Sequence, residues 1–155
     1  ATAFSSFAEF PDQTNEFIDF TEEIQLCLEI FKDYDIKLIK PKEKIQGDFD
    51  KSNLVRIVTN LVKNSIQATS ELDDPKIEIE LKKINNNLEL KIRDNGTGIP
   101  SSLKEKIFEP NFTTKNKGTG LGLSIIKKLI DSYNGRISFT SKPGKTVFKI
   151  TVPII

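Results

Sequence analysis

Three glycines at alternate positions, Gly118, Gly120 and Gly122, lead directly into a segment with the periodicity of an amphipathic helix. Glycine is among the poorest helix formers, so its repetition here indicates a backbone that must approach another group closely. The unpaired N–H groups at a helix N-terminus attract anions. The segment therefore predicts a loop that holds phosphate groups.

This loop does not match two well-known phosphate-binding patterns. It follows a polar stretch and not a strand, and no acid-tipped strand comes about 20 residues later, as a dinucleotide-binding fold requires. The pattern G-x-x-x-x-G-K-[ST] is absent as well. A phosphate site at these glycines must therefore belong to a different scaffold.

A stripe of amide side chains accompanies the apolar face of a second predicted helix. At about 100° per residue, Asn53, Asn60, Asn64 and Gln67 fall within about 60° of one another. One interpretation is a solvated polar face. The other is a row of side-chain carbonyl oxygens that faces a hard cation such as Mg²⁺, which prefers oxygen ligands.

Asp94 ends a predicted strand on the side that also carries Leu90 and Ile92, which is the core-facing side. A carboxylate there is costly unless it is hydrogen-bonded. Either it caps the following turn, or it accepts a hydrogen bond from the amino group of a buried ligand. Gly96 and Gly98 would let that ligand lie against the backbone.

Thr146 is a matching polar residue on another predicted strand, where alternation puts it with Phe148 and Ile150. By itself it would be a core threonine bonded to the backbone. Together with Asp94 it supplies a second polar group on the inner face of one sheet. A mostly apolar pocket uses such groups to orient an aromatic base.

The composition limits the functions that these residues can serve. The 155 residues, 37% hydrophobic and 29% charged, suit one globular core, and no apolar run approaches the roughly 20 residues of a membrane span. The lack of histidine excludes His-type zinc sites and Ser-His-Asp or Cys-His hydrolases. A net charge of +1 without a basic stripe predicts no nucleic-acid partner. Cys27 stands alone among apolar neighbours, which predicts a packed core thiol.

The order of the predicted elements indicates an α+β fold. Helices are expected over 19–34, from Asp50 or Ser52 to about Thr69, as a short piece over 101–107, and from the glycines to Asn134 and Gly135. Strands are expected over 36–39, 44–49, 76–84, 88–94, 136–141 and 146–154, with turns at 85–87 and 142–145. Helices on one face of a mixed, mostly antiparallel sheet make a two-layer α/β sandwich.

Four segments, in this order, resemble the ATP-binding catalytic domain of sensor histidine kinases, in the superfamily shared with gyrase, the mismatch-repair protein MutL and heat-shock chaperones. "NLVKNSIQA", "DNGTGIP", "IFEPNFTTK" and "GTGLGLS" are similar to the family's asparagine box, first glycine box, phenylalanine box and second glycine box. "GRISFTSKPGKTVFKITVP" resembles its usual ending, so the match covers about residues 19–153. "FSSFAEFP" and the short lid further resemble the nitrogen-regulation (NtrY-like) group. The resemblance implies a Bergerat-type ATP-binding fold.

The resemblance also assigns roles to residues. It implies that Asn64 is the principal Mg²⁺ ligand, with Asn60 beside it on the helix, and that these two act in catalysis together with Lys115. Asp94 would read the adenine amino group, and Thr146 would support its water network. The remaining implied ATP contacts lie in the pocket wall, the lid and the start of the last helix: Gly96, Gly98, Ile99, Phe108, Thr113, Lys115, Lys117, Gly118, Thr119, Gly120, Leu121, Gly122 and Leu123. Phe108 and Phe112 would anchor the lid.

The reaction implied by the resemblance is transfer of the γ-phosphoryl group of Mg-ATP to a histidine on a dimerisation domain of the same protein. The group would then pass to an aspartate on the receiver domain of a response regulator. Residues 1–18 would be the tail of a dimerisation helix with a linker, and residues 19–155 the catalytic domain. Without its acceptor histidine, the chain would not phosphorylate itself. We expect a monomeric, cytoplasmic domain from a homodimeric parent, and membrane anchoring of that parent stays open.

Two residues depart from the family pattern, and three other functions are alternatives. Lys145 precedes Thr146 where the family usually has glycine, and Gln67 stands where many members carry a charge. An ATPase-driven conformational machine would carry a glutamate in place of Asn60, because an amide cannot take a proton from water. A nucleotide-binding interaction module without catalysis is the second alternative. A serine kinase that acts on an anti-sigma partner is the third, and it would lack attached dimerisation helices.

Overall fold

The structure, a computed structural model, describes residues 13–110 and 122–154. The strands of this part of the chain are β1 (Glu16–Asp19), β2 (Ile36–Ile39), β3 (Gln46–Phe49), β4 (Ile77–Ile84), β5 (Asn87–Asp94), β6 (Arg136–Lys142) and β7 (Lys145–Pro153). Its α-helices are α1 (Phe20–Leu28), α2 (Lys51–Ala68) and α3 (Gly122–Ser132). Single 3₁₀ turns lie at Glu29–Phe31 and Ser101–Leu103.

The main sheet has the strand order β2-β4-β5-β7-β6. Strand β2 pairs with β4 in parallel, and the other neighbours pair antiparallel. The predicted mixed, mostly antiparallel sheet is therefore confirmed. In this register Asp94 lies opposite Ile77 on β4 and Thr146 on β7. The central strand thus brings the two predicted polar residues of the inner face side by side.

The core lies between the helices and one face of the main sheet. Alternate residues of β4, β5 and β7 are buried on that face: Ile77, Ile79, Leu81, Leu88, Leu90, Ile92, Phe148, Ile150 and Val152. Helix α2 covers them with the apolar face that its sequence predicts: Leu54, Ile57, Val58, Leu61 and Val62. Burial of this apolar surface is the main favourable contribution to folding, and it produces the predicted two-layer arrangement.

Local capping explains where two of the helices begin and end. Asp50 is the N-cap of α2, and its Oδ1 accepts a 3.1 Å hydrogen bond from the N–H of Asn53. After α3, Asn134 takes the left-handed conformation with φ of 59°. The N–H of Gly135 then bonds the Ile130 carbonyl at 2.9 Å, and a Cβ on Gly135 would lie 2.5 Å from the Thr151 carbonyl oxygen. The predicted end of this helix is confirmed.

Three local features differ from the sequence-based expectation. Strand β1, which pairs with β3, was not predicted, because four residues with one buried apolar side chain carry no clear alternation. The first helix is α-helical only to Leu28, and the expected helix over 101–107 is one 3₁₀ turn followed by hydrogen-bonded turns.

Across 13–110 and 122–154, no helix is both long and apolar enough to cross a membrane.

Candidate functional site

Asp94, the last residue of β5, is 7% exposed and faces the helices, as the strand alternation predicts. Its Oδ1 accepts a 3.0 Å hydrogen bond from the N–H of Gly96, and its Oδ2 accepts one of 2.9 Å from Oγ of Ser65. Burial raises the pKa of the Asp94 carboxyl, and these two hydrogen bonds oppose the rise. A carboxylate oxygen can accept more than one hydrogen bond, so Asp94 caps its turn and still has capacity for a ligand donor.

Asn60 and Asn64 lie one helical turn apart on α2, just before Ser65. The Nδ2 of Asn60 donates a 2.7 Å hydrogen bond to the carbonyl of Arg56. The amide oxygen of Asn60 therefore points away from that carbonyl. That oxygen faces Gly122 at the start of α3, where a Cβ would lie 3.1 Å from it. A glycine at this position therefore leaves the amide oxygen accessible beside a helix N-terminus.

The predicted amide stripe is divided between two ends of α2. Asn53 is buried near the N-terminus, where its Nδ2 donates to the hydroxyl of Tyr133 at 3.1 Å. Gln67 is exposed beyond Asn64. The interpretation as a single row of four cation-facing carbonyls is therefore wrong for Asn53, whose partner comes from the end of α3. Asn60 and Asn64 lie one helical turn apart on α2, and their role in a cation site stays a prediction.

The loop 95–99, which follows β5, is held between two backbones. A Cβ on Gly96 would lie 2.6 Å from the carbonyl oxygen of Ala68 at the end of α2. Gly98 has φ of +85°, and a Cβ there would lie 2.7 Å from the carbonyl oxygen of Lys142. The N–H of Gly144 donates to the Gly96 carbonyl at 2.9 Å. Both glycines are required because a Cβ would meet carbonyl groups of the chain itself, and their role as a wall against a ligand stays a prediction.

Thr146 is 4% exposed and lies opposite Asp94 on the inner face of the sheet. Its Oγ1 is 2.7 Å from Oγ of Ser141 on β6, and that serine oxygen accepts a 2.8 Å hydrogen bond from the N–H of Ile99. The Nζ of Lys104 donates to the carbonyl of Ser141 at 2.7 Å. Polar groups from four segments therefore meet at this side of the site.

Sequence reasoning missed three residues of this arrangement: Ser65, Lys104 and Ser141. Ser65 carried a usable signal, since it lies four residues after Leu61 on the apolar face of its helix. Ser141 carried one as well, because alternation from Phe139 puts it on the inner face. Lys104 had none, because a lysine on a short surface turn is ordinarily solvated.

Several predicted site residues lie outside the described part of the chain: Thr113, Lys115, Lys117, Gly118, Thr119, Gly120 and Leu121, with the lid residue Phe112. Gly122 and Leu123 begin α3 and are half-buried. Phe108 is half-buried and packs edge-to-face on Phe139, with ring centroids 5.9 Å apart. The roles assigned to all these residues stay predictions.

The residues that the structure brings together fit a nucleotide with its divalent cation. Asp94 and Thr146 offer polar groups at a buried edge, and the 95–99 loop offers a backbone wall. The neutral amide oxygens of Asn60 and Asn64 are hard ligands, and they suit an ion that keeps several waters and binds phosphate oxygens. These two residues would hold Mg²⁺ if it enters with the nucleotide.

Comparison with known proteins gives one family. Residues 49–155 match the family described as histidine kinase-, DNA gyrase B- and HSP90-like ATPase. The sensory histidine kinase/phosphatase NtrB of Vibrio alginolyticus is 36% identical over 143 residues, which are 86% of this chain and 39% of the relative. The nitrogen regulation protein NtrY of Azorhizobium caulinodans is 28% identical over 148 residues, 90% of this chain and 19% of the relative. The chain thus spans well under half of the length of these relatives.

A solved structure agrees over nearly the whole chain. The catalytic domain of histidine kinase ThkA, in a nucleotide-free form, has a TM-score of 0.83 at 31% identity, over 92% of this chain and 97% of that one. ThkA in complex with the response regulator protein TrrA has a TM-score of 0.83 at 27% identity, over 99% of this chain and 46% of that one.

Proposed function

Because the chain belongs to the histidine kinase-, DNA gyrase B- and HSP90-like ATPase family, and within it to the catalytic domains of histidine kinases, we propose that it binds Mg-ATP. The nucleotide would lie between α2 and the 95–99 loop. The chain would donate the γ-phosphoryl group to a histidine on a dimerisation domain. The proposal extends to relay of the phosphoryl group to an aspartate of a response regulator. Since ATP is an intracellular metabolite, the proposal implies a cytoplasmic domain. The acceptor histidine is proposed to lie on the dimerisation domain of a homodimeric parent.

One observation carries the proposal: the hydrogen bond from Ser65 to Asp94 joins the strand end that would read the base to the helix that would hold the cation. Asn60 lies five residues before Ser65, which is about 7.5 Å along a helix axis. This separation leaves room for a sugar between a base at Asp94 and phosphates at Asn60 and Gly122. The adenine amino group would donate to the carboxylate of Asp94.

The chain's residues would act by positioning and by charge. Asn60 and Asn64 would orient the phosphate end, and the N–H groups at the start of α3 would face phosphate oxygens. When bound, Mg²⁺ supplies neutralisation of the charge on the transferred group, which is the main requirement of phosphoryl transfer through a loose transition state. The amide of Asn60 cannot act as a general base toward water, which favours transfer to a histidine over hydrolysis.

Two relatives support the phosphotransfer part of this proposal. NtrB is named as a histidine kinase, and ThkA has been solved with a response regulator. By analogy with these proteins, we propose the same kinds of partner for the protein that contains this chain. No observation favours the interaction-module or serine-kinase alternatives.

The first test is calorimetric titration of ATP and ADP into this chain, with and without Mg²⁺. We expect Mg²⁺-dependent binding that is lost in Asp94→Asn and kept in the control Asp48→Asn, whose carboxylate is exposed on β3. If the folded wild-type chain binds neither nucleotide, the proposal is wrong and an interaction module replaces it.

The second test adds the histidine-bearing dimerisation domain of the parent protein as a separate polypeptide. With γ-labelled ATP, we expect acid-labile, base-stable label on that domain, as histidine phosphate requires. Label that is acid-stable would instead indicate a serine kinase. Release of inorganic phosphate without labelling would indicate an ATPase.

A further inference from the structure

Ser141, on the inner side of β6, connects three separate segments of the chain. Its Oγ accepts a hydrogen bond from the N–H of Ile99 at 2.8 Å and lies 2.7 Å from Oγ1 of Thr146. Its carbonyl accepts from Nζ of Lys104 at 2.7 Å. The hydroxyl of Ser141 is therefore engaged both with the 95–99 loop and with the strand opposite Asp94.

We propose that Ser141 is a positioning residue of the base-binding site, which holds the Gly98–Ile99 backbone in place and orients the hydroxyl of Thr146 toward the edge of the base. It touches neither the phosphates nor the cation in this arrangement. The inference rests on the proposed nucleotide binding and concerns how adenine is distinguished from other purines.

The donor and acceptor sites of the Ser141 hydroxyl support its role as a positioning residue. A serine hydroxyl has one donor and two acceptor sites, and the N–H of Ile99 uses one acceptor. Thr146 is 4% exposed and has little access to water. When Ser141 donates to Thr146, the proton of Thr146 stays available to a water or ligand atom beside Asp94. Without Ser141, the hydroxyl of Thr146 can turn, and the N–H of Ile99 loses its partner.

The position of Gly98 makes the same contact important for the shape of the pocket. Gly98 has a positive φ and lies against the carbonyl of Lys142, so the loop has little freedom on that side. The bond from Ile99 to Ser141 fixes the next residue of the loop on the same hairpin. Ile99 is half-buried, and its side chain packs against the core. Ser141 thus sets the distance between the loop and the sheet where a flat base would lie.

The test compares dissociation constants for Mg-ATP and Mg-ITP, since inosine has a keto group where adenine has the amino group. In Ser141→Ala, we expect ATP affinity to fall about 10-fold, the effect of roughly one hydrogen bond. ITP affinity should change much less, because ITP has no amino group to donate to Asp94. The preference for ATP over ITP therefore shrinks. A merely structural loosening would weaken both nucleotides by the same factor and leave the ratio unchanged.

Three further variants complete the experiment. Ser138→Ala, on the exposed side of the same strand, is the matched control and should leave both constants unchanged. Ser141→Thr keeps the hydroxyl and should retain the preference for ATP. Ser141→Cys is nearly isosteric, and it should lose part of that preference even if the alanine variant proves too unstable to measure.

The outcomes separate the two proposals. Suppose that the wild-type chain binds ATP, and that the ratio of the dissociation constants for ATP and ITP is unchanged in Ser141→Ala and Ser141→Cys. This result would overturn the role of Ser141 and leave nucleotide binding intact. A folded wild-type chain that binds neither nucleotide would overturn both.

Discussion

Oγ of Ser65 donates a 2.9 Å hydrogen bond to Oδ2 of Asp94, and both residues are buried. This bond joins the C-terminal half of α2 to the end of β5, which are the two elements that carry the candidate site. A buried donor to a buried carboxylate is strong, because the carboxylate has little water to replace it. The geometry of the helix side and of the strand side should therefore change together when either partner is replaced.

Nucleotide affinity should depend on the ionisation of Asp94, whose pKa is raised by burial. The folded state binds this proton more tightly than the unfolded state does. The contribution of Asp94 to the free energy of unfolding therefore falls as pH rises from the ordinary carboxylate range through the raised pKa. An adenine amino group needs the carboxylate, so ATP affinity should rise over the same interval.

This pH effect is measured in ATP titrations of the wild-type chain, and in urea unfolding as the difference between the wild-type chain and Asp94→Asn. The variant has no carboxyl to titrate at this position, so other ionisations cancel. We also expect Asp94→Asn to unfold at neutral pH with a free energy no lower than that of wild type, because a buried charge is removed while an acceptor for Gly96 is kept. If the free energy of unfolding of wild type, minus that of Asp94→Asn, rises with pH over this interval, the raised pKa of Asp94 is contradicted.

Ser65→Ala should destabilise the chain and shift the pH dependence. The variant leaves one oxygen of the Asp94 carboxylate without its buried donor, which should cost about 1.5–3 kcal/mol at neutral pH. Because the hydrogen bond from Ser65 lowers the pKa of Asp94, its loss should raise that pKa further. The rise of ATP affinity then moves to higher pH. Ser70→Ala, at an exposed serine beyond α2, is the control and should change neither quantity appreciably.

Gly98→Ala and Gly144→Ala separate backbone strain from close packing. The two glycines have similar φ, +85° and +87°, but a Cβ on Gly144 meets nothing within 4 Å. We expect Gly144→Ala to lose about 1 kcal/mol of stability from the left-handed conformation alone. Gly98→Ala should lose clearly more, since its Cβ would meet the Lys142 carbonyl, and ATP binding should weaken with it. Equal losses in urea unfolding would argue against the close contact.

Asn64→Ala and Asn53→Ala should have opposite consequences although both residues belong to the amide stripe of α2. Asn64→Ala should abolish the gain in ATP affinity that Mg²⁺ provides. Asn53→Ala should keep that gain and lower stability by about 1 kcal/mol, because its partly buried hydrogen bond to Tyr133 is lost. Calorimetry with and without Mg²⁺, beside urea unfolding, measures both. A stability loss in Asn64→Ala without a change in Mg²⁺ dependence would remove Asn64 from the cation site.

The division between Asn53 and Asn64 illustrates how far the sequence alone reaches. Periodicity identified the helix and its apolar face, and the cap preference narrowed its start to Asp50 or Ser52, since these depend on residues within a few positions of one another. Strand alternation likewise put Asp94 and Thr146 on the inner face, and the glycine spacing with the four motifs indicated the family. The domain boundary and the roles of the residues over 111–121 stay predictions.

Only the tertiary structure decided which polar side chains share a site. Asn53 bonds a tyrosine from the end of α3, and Ser65 bonds an aspartate from β5. Ser141 bonds the N–H of Ile99, and β1 finds its partner in β3. Each pair joins residues far apart in the chain, and each is selected by how the helices and the sheet pack. Local pattern sets the face on which a side chain lies, whereas the partner on that face is set by the packing of distant segments.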